Sequence, residues 1–386
     1  MGKVDPKVDE AIETLNMKDG PTRRRLLAGT GLVSATAAAS ALLTACSSSS
    51  SASGAVSSSN PFPSVPSWHF WFVNHVTTNS FFVPTQYGFA DAAKLLGLPT
   101  PNWVGSTNSI ASQMVAQIDA AVSAHASGIA TTLINSTSFT TPVGNAMSAG
   151  IPVLSYNADG DIVNGVPDIG CNRLAYVGQA LYTSGEQLGE RIKSLVTTPG
   201  DVVIFIATPG QANIQPRYDG AAAVLTPAGY TVAEIATGAA TDVEEGNMVA
   251  YLLGHKSTLK GAFAVDGGSS SFLAPALAKA GITGLPNGGF DTEPLTLSNI
   301  AAGTTDFTIY QDPYLQGFLP TLYLYLYNIS GGTLVPPDTD TGLSFITKSN
   351  LAEYNLASRY QGSGTAEKYL PRPSGAISNP IATTSS

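Results

Sequence analysis

The chain has 386 residues, 43% of them hydrophobic and 12% charged, with a formal net charge of −9. That length and apolar content are ample for a packed core, suggest two domains by size, and exclude a disordered chain. Met1 to Ala45 hold six Lys/Arg and five Asp/Glu, so the remainder carries 12 basic against 22 acidic residues, a net −10 that would repel phosphate backbones and argues against a nucleic-acid partner.

The first elements are addresses rather than structure. Thr22-Arg23-Arg24-Arg25-Leu26-Leu27 resembles a twin-arginine export motif, followed by a mildly apolar run from Leu26 to Leu43. The run ends at Leu43-Thr44-Ala45-Cys46, which resembles the lipobox of bacterial lipoproteins. The expectation is a signal peptide over residues 1–45 and diacylation of Cys46, with the protein exported and lipid-anchored at the outer face of the cytoplasmic membrane. Cys171 is then the lone thiol of the processed chain, with no disulfide partner, and is expected to sit buried as a small hydrophobe. Residues 46–67 are Ser-rich, end in Pro61, Pro63 and Pro66, lack apolar periodicity, and read as a tether.

From Phe70 onward, strand-like and helix-like segments alternate. Strands are expected at Phe70 to Val73, Ile129 to Ile134, Ile151 to Tyr156, Val202 to Ala207, Tyr230 to Ile235 and Ala262 to Val265, and before Asp291 and Gln311. Their near-continuous apolar character suits parallel strands covered on both faces. The spacing of Ile110, Met114, Val115, Ile118, Ala121 and Val122 predicts a helix starting at Asn108 or Ser109 and stopping at Gly128. Such repeated units imply doubly wound α/β layers. Leu322 to Tyr327 alternates with period two, as a strand would.

Two strand ends carry the most chemistry. Gly288-Gly289-Phe290-Asp291 delivers a carboxylate, and Asp306 to Gln311 delivers an amide twenty residues later. Both would lie at the carboxyl edge of a parallel sheet, where open α/β folds bind ligands. The alternative for Asp291 is a cap on the next helix.

These residues resemble the ribose-binding type of solute-binding protein, the type I periplasmic binding proteins of ABC importers, and the resemblance runs from Trp68 to about Tyr360. Asn74 to Phe82 is similar to the family's first strand-to-helix loop, making Asn79 a hydroxyl-binding amide and Phe81 and Phe82 an apolar wall, with Ser80 in place of the usual proline. Ile151 to Asn157 is similar to a strand that ends in Asp-Arg in ribose binders. Asn157-Ala158 stands there instead, so ribose-type pentose specificity does not carry over. Gln215 to Gly220 is similar to the element that carries a sugar-binding arginine, here Arg217, and Phe263 to Gly268 to one that carries Asp266 to the ligand. The resemblance also implies that Leu322 to Tyr327 is helical.

It further implies two Rossmann-like lobes joined by a three-strand hinge. They would span 68–177 plus 312–343 and 178–311 plus 344–360, with a flexible tail over 361–386. The ligand would be a neutral monosaccharide or short polyol, and the partner an ABC permease in the membrane. The expected protein is a monomer and not an enzyme, with no cofactor. A ligand-sensing receptor that signals to a membrane partner would share this fold, and the sequence leaves both open. His69, His75, His125 and His255 show no metal-ligand spacing, no Gly-x-Ser-x-Gly elbow occurs, and Gly254-His255-Lys256-Ser257 lacks the glycine a phosphate loop needs before its lysine.

Overall fold

The structure, a computed structural model, describes residues 64–360 apart from 164, 239–240 and 357–359. The twin-arginine-like segment, Cys46, most of the tether and the tail from 361 lie outside the described residues.

The described chain opens with β1 (Phe70–Asn74), α1 (Val83–Leu96), β2 (Asn102–Gly105), α2 (Ala111–Ser123), β3 (Gly128–Leu133), α3 (Thr140–Ser148) and β4 (Val153–Asp159). A hairpin of β5 (Asp161–Val163) and β6 (Val166–Asp168) precedes β7 (Tyr176–Gly178). There follow α4 (Leu181–Leu195), β8 (Asp201–Ile206), α5 (Gln215–Leu225), β9 (Thr231–Ala236), α6 (Thr241–His255), β10 (Leu259–Ala264), α7 (Gly267–Lys279), β11 (Asn287–Phe290), α8 (Pro294–Ala302) and β12 (Phe307–Tyr310). The end comprises α9 (Leu315–Ile329), β13 (Thr339–Asp340), β14 (Ser344–Thr347) and α10 (Leu351–Leu356).

Twelve of these strands form two six-stranded sheets, ordered β13-β7-β4-β3-β1-β2 and β14-β12-β11-β10-β8-β9. Every pairing is parallel except that of β14 with β12. The chain crosses between the sheets three times, after β7, after β12 and after β13. This is the doubly wound α/β architecture expected from the continuous apolar strands, since helices cover both faces of each sheet. On the first sheet, Val73, Ile129 and Leu133 pack with Met114 and Ile118 of α2, while Phe70 and Leu154 pack with Leu324 and Tyr325 of α9. On the second, Ile204 and Phe263 meet Leu188 and Ile192 of α4, and Val203 and Phe205 meet Met248 and Leu252 of α6.

Leu322 to Tyr327 lies inside α9, which buries Leu324 and Tyr325 and leaves Tyr323 and Leu326 half-buried. The period-two pattern there belongs to a helix that buries Tyr325 and leaves Tyr323 and Tyr327 half-buried, not to a pleated strand. The expected bounds of α2 need correction. Ser106 Oγ accepts from the amides of Asn108 and Ile110 at 3.1 Å each, Ser109 sits at φ 56°, and the helix begins only at Ala111. It stops at Ser123, where His125 takes φ 53° and Ala126 N closes back on Ala121 O at 2.9 Å, so Gly128 opens β3 instead of ending the helix. Cys171 is half-buried beside the α2 and α3 core, and burial pushes its thiol pKa up.

Candidate ligand-binding cleft

In each sheet the strand order reverses once, between β1 and β3 in the first and between β8 and β10 in the second. The crevice outside such a switch point, at the carboxyl ends of the strands, is where open α/β sheets take ligands. A cavity of about 480 Å³ lies against both switch points, within the size range of small-molecule sites. Asn79, Phe81, Phe82, Asn157, Arg217, Asp266, Asp291 and Gln311, all expected from sequence, line it, together with His75, Gln211, Asn213, Glu244 and Glu293.

The first sheet supplies rings and amides. After β1 the chain turns through a short 3₁₀ segment, Ser80–Phe82, that Asn79 caps by accepting from Phe81 N at 2.9 Å. Ser80 stands in that segment, and Pro84 lies in the first turn of α1. Phe82 is 2% exposed and stacks edge-on against His75 at 5.4 Å and Phe81 at 4.8 Å, so it backs the wall while the half-buried Phe81 faces it. His75 pairs its Nδ1 with Thr132 Oγ1 at 3.1 Å, and burial drops its pKa to about 4, so it stays neutral near pH 7. Asn157 stands at φ 62°, a left-handed conformation that Asn tolerates better than most residues, and its Nδ2 donates to Gln316 Oε1 at 3.1 Å.

The second sheet supplies charge. Arg217 is 2% exposed because α4 and α5 cross closely: a Cβ at Gly185 would come 2.2 Å from Arg217 O, and one at Gly220 2.1 Å from Tyr182 O. That crossing sets the guanidinium 4.3 Å over the Phe290 ring, donating to Gln179 Oε1 at 3.2 and 3.0 Å and to Val265 O at 3.0 Å. Two of its five N–H groups make no hydrogen bond among the described residues. Burial lowers the Arg217 pKa, and nearby Asp291 and Asp266 partly offset it.

Asp291, also left-handed at φ 70°, accepts from Gln311 Nε2 at 2.7 Å. Burial raises its pKa against the pull of Arg217 and that amide. It does not cap α8, whose preceding residue is Glu293. Asp266 does cap a helix: it accepts from Ser269 N at 2.9 Å, Ser269 Oγ at 3.0 Å and Ala207 N at 2.7 Å, the last tying β8 to β10 across the switch point. Its carboxylate is thus largely satisfied, although it lines the cavity.

Sequence reasoning missed the groups that connect these residues. Gln316, fully buried in α9, donates to Gln311 Oε1 at 3.2 Å and to Thr341 Oγ1 at 3.3 Å. Gln179, in the first crossing, holds Arg217 and donates to Gly342 O at 3.4 Å in the third, next to Thr341, whose Oγ1 donates to Gln311 O at 2.7 Å in the second. The Asp-Arg pair absent at Asn157-Ala158 is not restored in the cleft. Asp159 turns away to a bidentate pair with Arg173, which also donates to Asp338 at 2.8 Å, beside a separate, mostly apolar cavity of about 350 Å³. Glu244 and Glu293 gave no signal, because a glutamate before a proline or near a helix start reads as an ordinary first-turn acid. Among the described residues no group of three His, Cys, Asp or Glu is placed to hold a metal ion.

Comparison with known proteins agrees with this fold. Residues 70–328 match the family described as periplasmic binding protein domain. The chain is 46% identical over 316 residues to the xylose/arabinose-binding protein XylF of Sulfolobus acidocaldarius, covering 79% of this chain and 77% of that protein. Among solved structures, an ABC transporter solute-binding protein from Burkholderia graminis in complex with D-arabinose is 25% identical at TM-score 0.66, covering 76% of this chain and 99% of that one. AraP, an arabinose-binding protein from Geobacillus stearothermophilus, shares the fold at 22% identity and TM-score 0.63, over 75% and 99% of the two chains. With the family match spanning most of the described residues and two Rossmann-like lobes facing one cleft, the chain belongs to the periplasmic binding protein domain family, exported transport components rather than enzymes.

Proposed function

We propose that this chain is the substrate receptor of an ABC importer and captures a neutral monosaccharide, of pentose size by analogy with its xylose/arabinose-binding relative. The observation that carries the reading is the convergence of aromatic rings, amides, one arginine and buried carboxyl groups on a single cavity. A sugar offers C–H faces to rings and hydroxyls to directed polar groups. Asn79, Phe81, Phe82 and Asn157 would contact it from one lobe, Arg217, Asp266 and Asp291 from the other, and Gln311 from the hinge. The lobes are 68–177 plus 312–343 and 178–311 plus 344–360. A ligand bridging both stabilises the closed form by its extra affinity for it, and a membrane permease reads that form.

Titration calorimetry with D-xylose and L-arabinose tests this. Asp291→Asn, which keeps the side-chain shape, is expected to weaken binding on the order of ten- to a hundredfold. Unchanged affinity in a folded Asp291→Asn protein would mean that the sugar sits elsewhere.

The protein would reach its permease as a monomer held by Cys46, with residues 46–67 as the tether. Support comes from the Leu43-Thr44-Ala45-Cys46 motif and from the family's exported character. Among the described residues no helix is long and apolar enough to cross a membrane. Mass spectrometry of the mature amino terminus is expected to find a diacylated Cys46, and a different first residue would rule the anchor out.

A further inference from the structure

The charged side of the cleft contains two acids that take no part in the pairings above. Glu244, near the start of α6, is 4% exposed, and its Oε2 is buried without a hydrogen-bond partner. Glu293, immediately before α8, has its own Oε2 buried and unpartnered. Both line the cavity. Each rests on one of the glycines that open α7. A Cβ at Gly268 would come 2.5 Å from Glu244 Oε2, and one at Gly267 would come 2.5 Å from Glu293 Oε1. Consecutive glycines thus clear the space that these two carboxyl groups occupy.

Capping α7 does not explain them, because Asp266 already accepts from Ser269 N. Nor does ion pairing: the one cation lining the cavity, Arg217, is engaged by Gln179 and Val265 and faces Asp291. A buried polar oxygen without a partner is costly, and such a group is tolerated where something outside the fold completes it. The cavity they face is where that completion comes from.

We propose that Glu244 and Glu293 are ligand contacts that pair with hydroxyl groups of a neutral sugar and set the site against anionic ones, an assignment that rests on the sugar-receptor reading above. Four carboxyl groups then face the ligand against one guanidinium, which makes a sugar carboxylate unwelcome while hydroxyls both donate and accept. Burial pushes Glu244 up to about 7 and Glu293 up to about 8, with Asp266 and Asp291 adding to the effect. Near neutral pH each acid is therefore divided between a protonated form, which donates an O–H to a hydroxyl, and an ionised form, which accepts from one and repels a sugar carboxylate.

The test uses D-xylose and D-glucuronate, which differ by one carboxylate on an otherwise matching ring. In calorimetry on the purified protein, Glu244→Ala and Glu293→Ala are each expected to weaken D-xylose binding about five- to tenfold, while Glu244→Gln and Glu293→Gln retain most of it. The double glutamine variant should narrow the preference for D-xylose over D-glucuronate by about tenfold, equivalent to ~1.4 kcal/mol. Circular dichroism confirms folding, and the near-isosteric glutamine variants carry the test if an alanine variant fails to fold. Wild-type D-xylose affinity in the folded alanine variants, or an unchanged D-xylose to D-glucuronate ratio in the double glutamine variant, overturns the assignment alone. A wild type that binds neither D-xylose nor L-arabinose overturns the sugar-receptor reading and this assignment together.

Discussion

The two walls of the cleft rest on sheets with the same strand reversal, yet they present different chemistry. The wall on the first sheet, His75, Asn79, Phe81, Phe82 and Asn157, is rings and amides with His75 held neutral by burial. The wall on the second sheet, Arg217, Glu244, Asp266, Asp291 and Glu293, holds the arginine and all four carboxyl groups. They differ in rigidity too. Asn79 is exposed and Phe81 half-buried, whereas Arg217, Asp266 and Asp291 are buried and already joined to Gln179, Ala207 and Gln311 before any ligand arrives. The doubly wound fold decides where loops converge, and the loop residues decide what they recognise. The charged wall is preorganised, so under the proposed function its members serve stability and binding at once.

Arg217→Ala should break that wall with the largest effect. It removes a buried cation that lies over the Phe290 ring and offsets the charge of Asp291, leaving Gln179 Oε1 and Val265 O without their donor. Breaking a buried ionic arrangement typically costs about 3–5 kcal/mol. Both a lower denaturation midpoint and loss of measurable sugar binding are expected. An Arg217→Ala protein as stable as the wild type would show that this wall is not interlocked.

The other wall separates the two functions between neighbours. Phe82→Ala should cost about 3–5 kcal/mol of stability, because the ring is 2% exposed and packed between His75 and Trp103. Phe81→Ala, on a half-buried ring that lines the cavity, should cost less stability but weaken sugar binding by about tenfold through the lost ring face. Urea denaturation read beside calorimetry distinguishes them. Equal stability losses for the two would erase the division of labour drawn here.

Much of this was legible in the sequence, and the failures share a cause. Continuous apolar strands announced a parallel sheet covered on both faces, and the residues at their carboxyl ends announced the cleft, because both signals are local. Arg217 could be picked out by its neighbours Gln215 to Gly220, but its partner Gln179 could not, since a helix crossing at Gly185 and Gly220 brings them together. Gln316 was passed over for the same reason: its role depends on Asn157, 159 positions away in the chain. Short strands such as β7 and β13 escaped because two or three residues carry no periodicity. The period-two run in α9 gave the opposite difficulty, a strand-like pattern inside a helix.

The contrast that opposes the walls most directly runs through pH. His75 has its folded pKa dropped to about 4 from 6.5 by burial. Its contribution to stability is therefore present above about pH 6.5 and is lost as pH falls toward about 4, a swing on the order of 3 kcal/mol. Glu293 is pushed the other way, up to about 8 from 4.5, by burial and then by Asp291. Its contribution is fully present below about pH 4.5 and is lost as pH rises through about 8. Acid therefore strains the ring-and-amide wall and relaxes the charged one. Denaturation curves from about pH 4 to about pH 9 on the wild type, His75→Gln and Glu293→Gln should show it, because each variant deletes one titration and the difference from wild type isolates that group. The His75→Gln difference is expected to open toward acid and the Glu293→Gln difference toward base. If both differences open in the same direction, the walls are not electrostatic opposites, and the contrast between them reduces to one of packing.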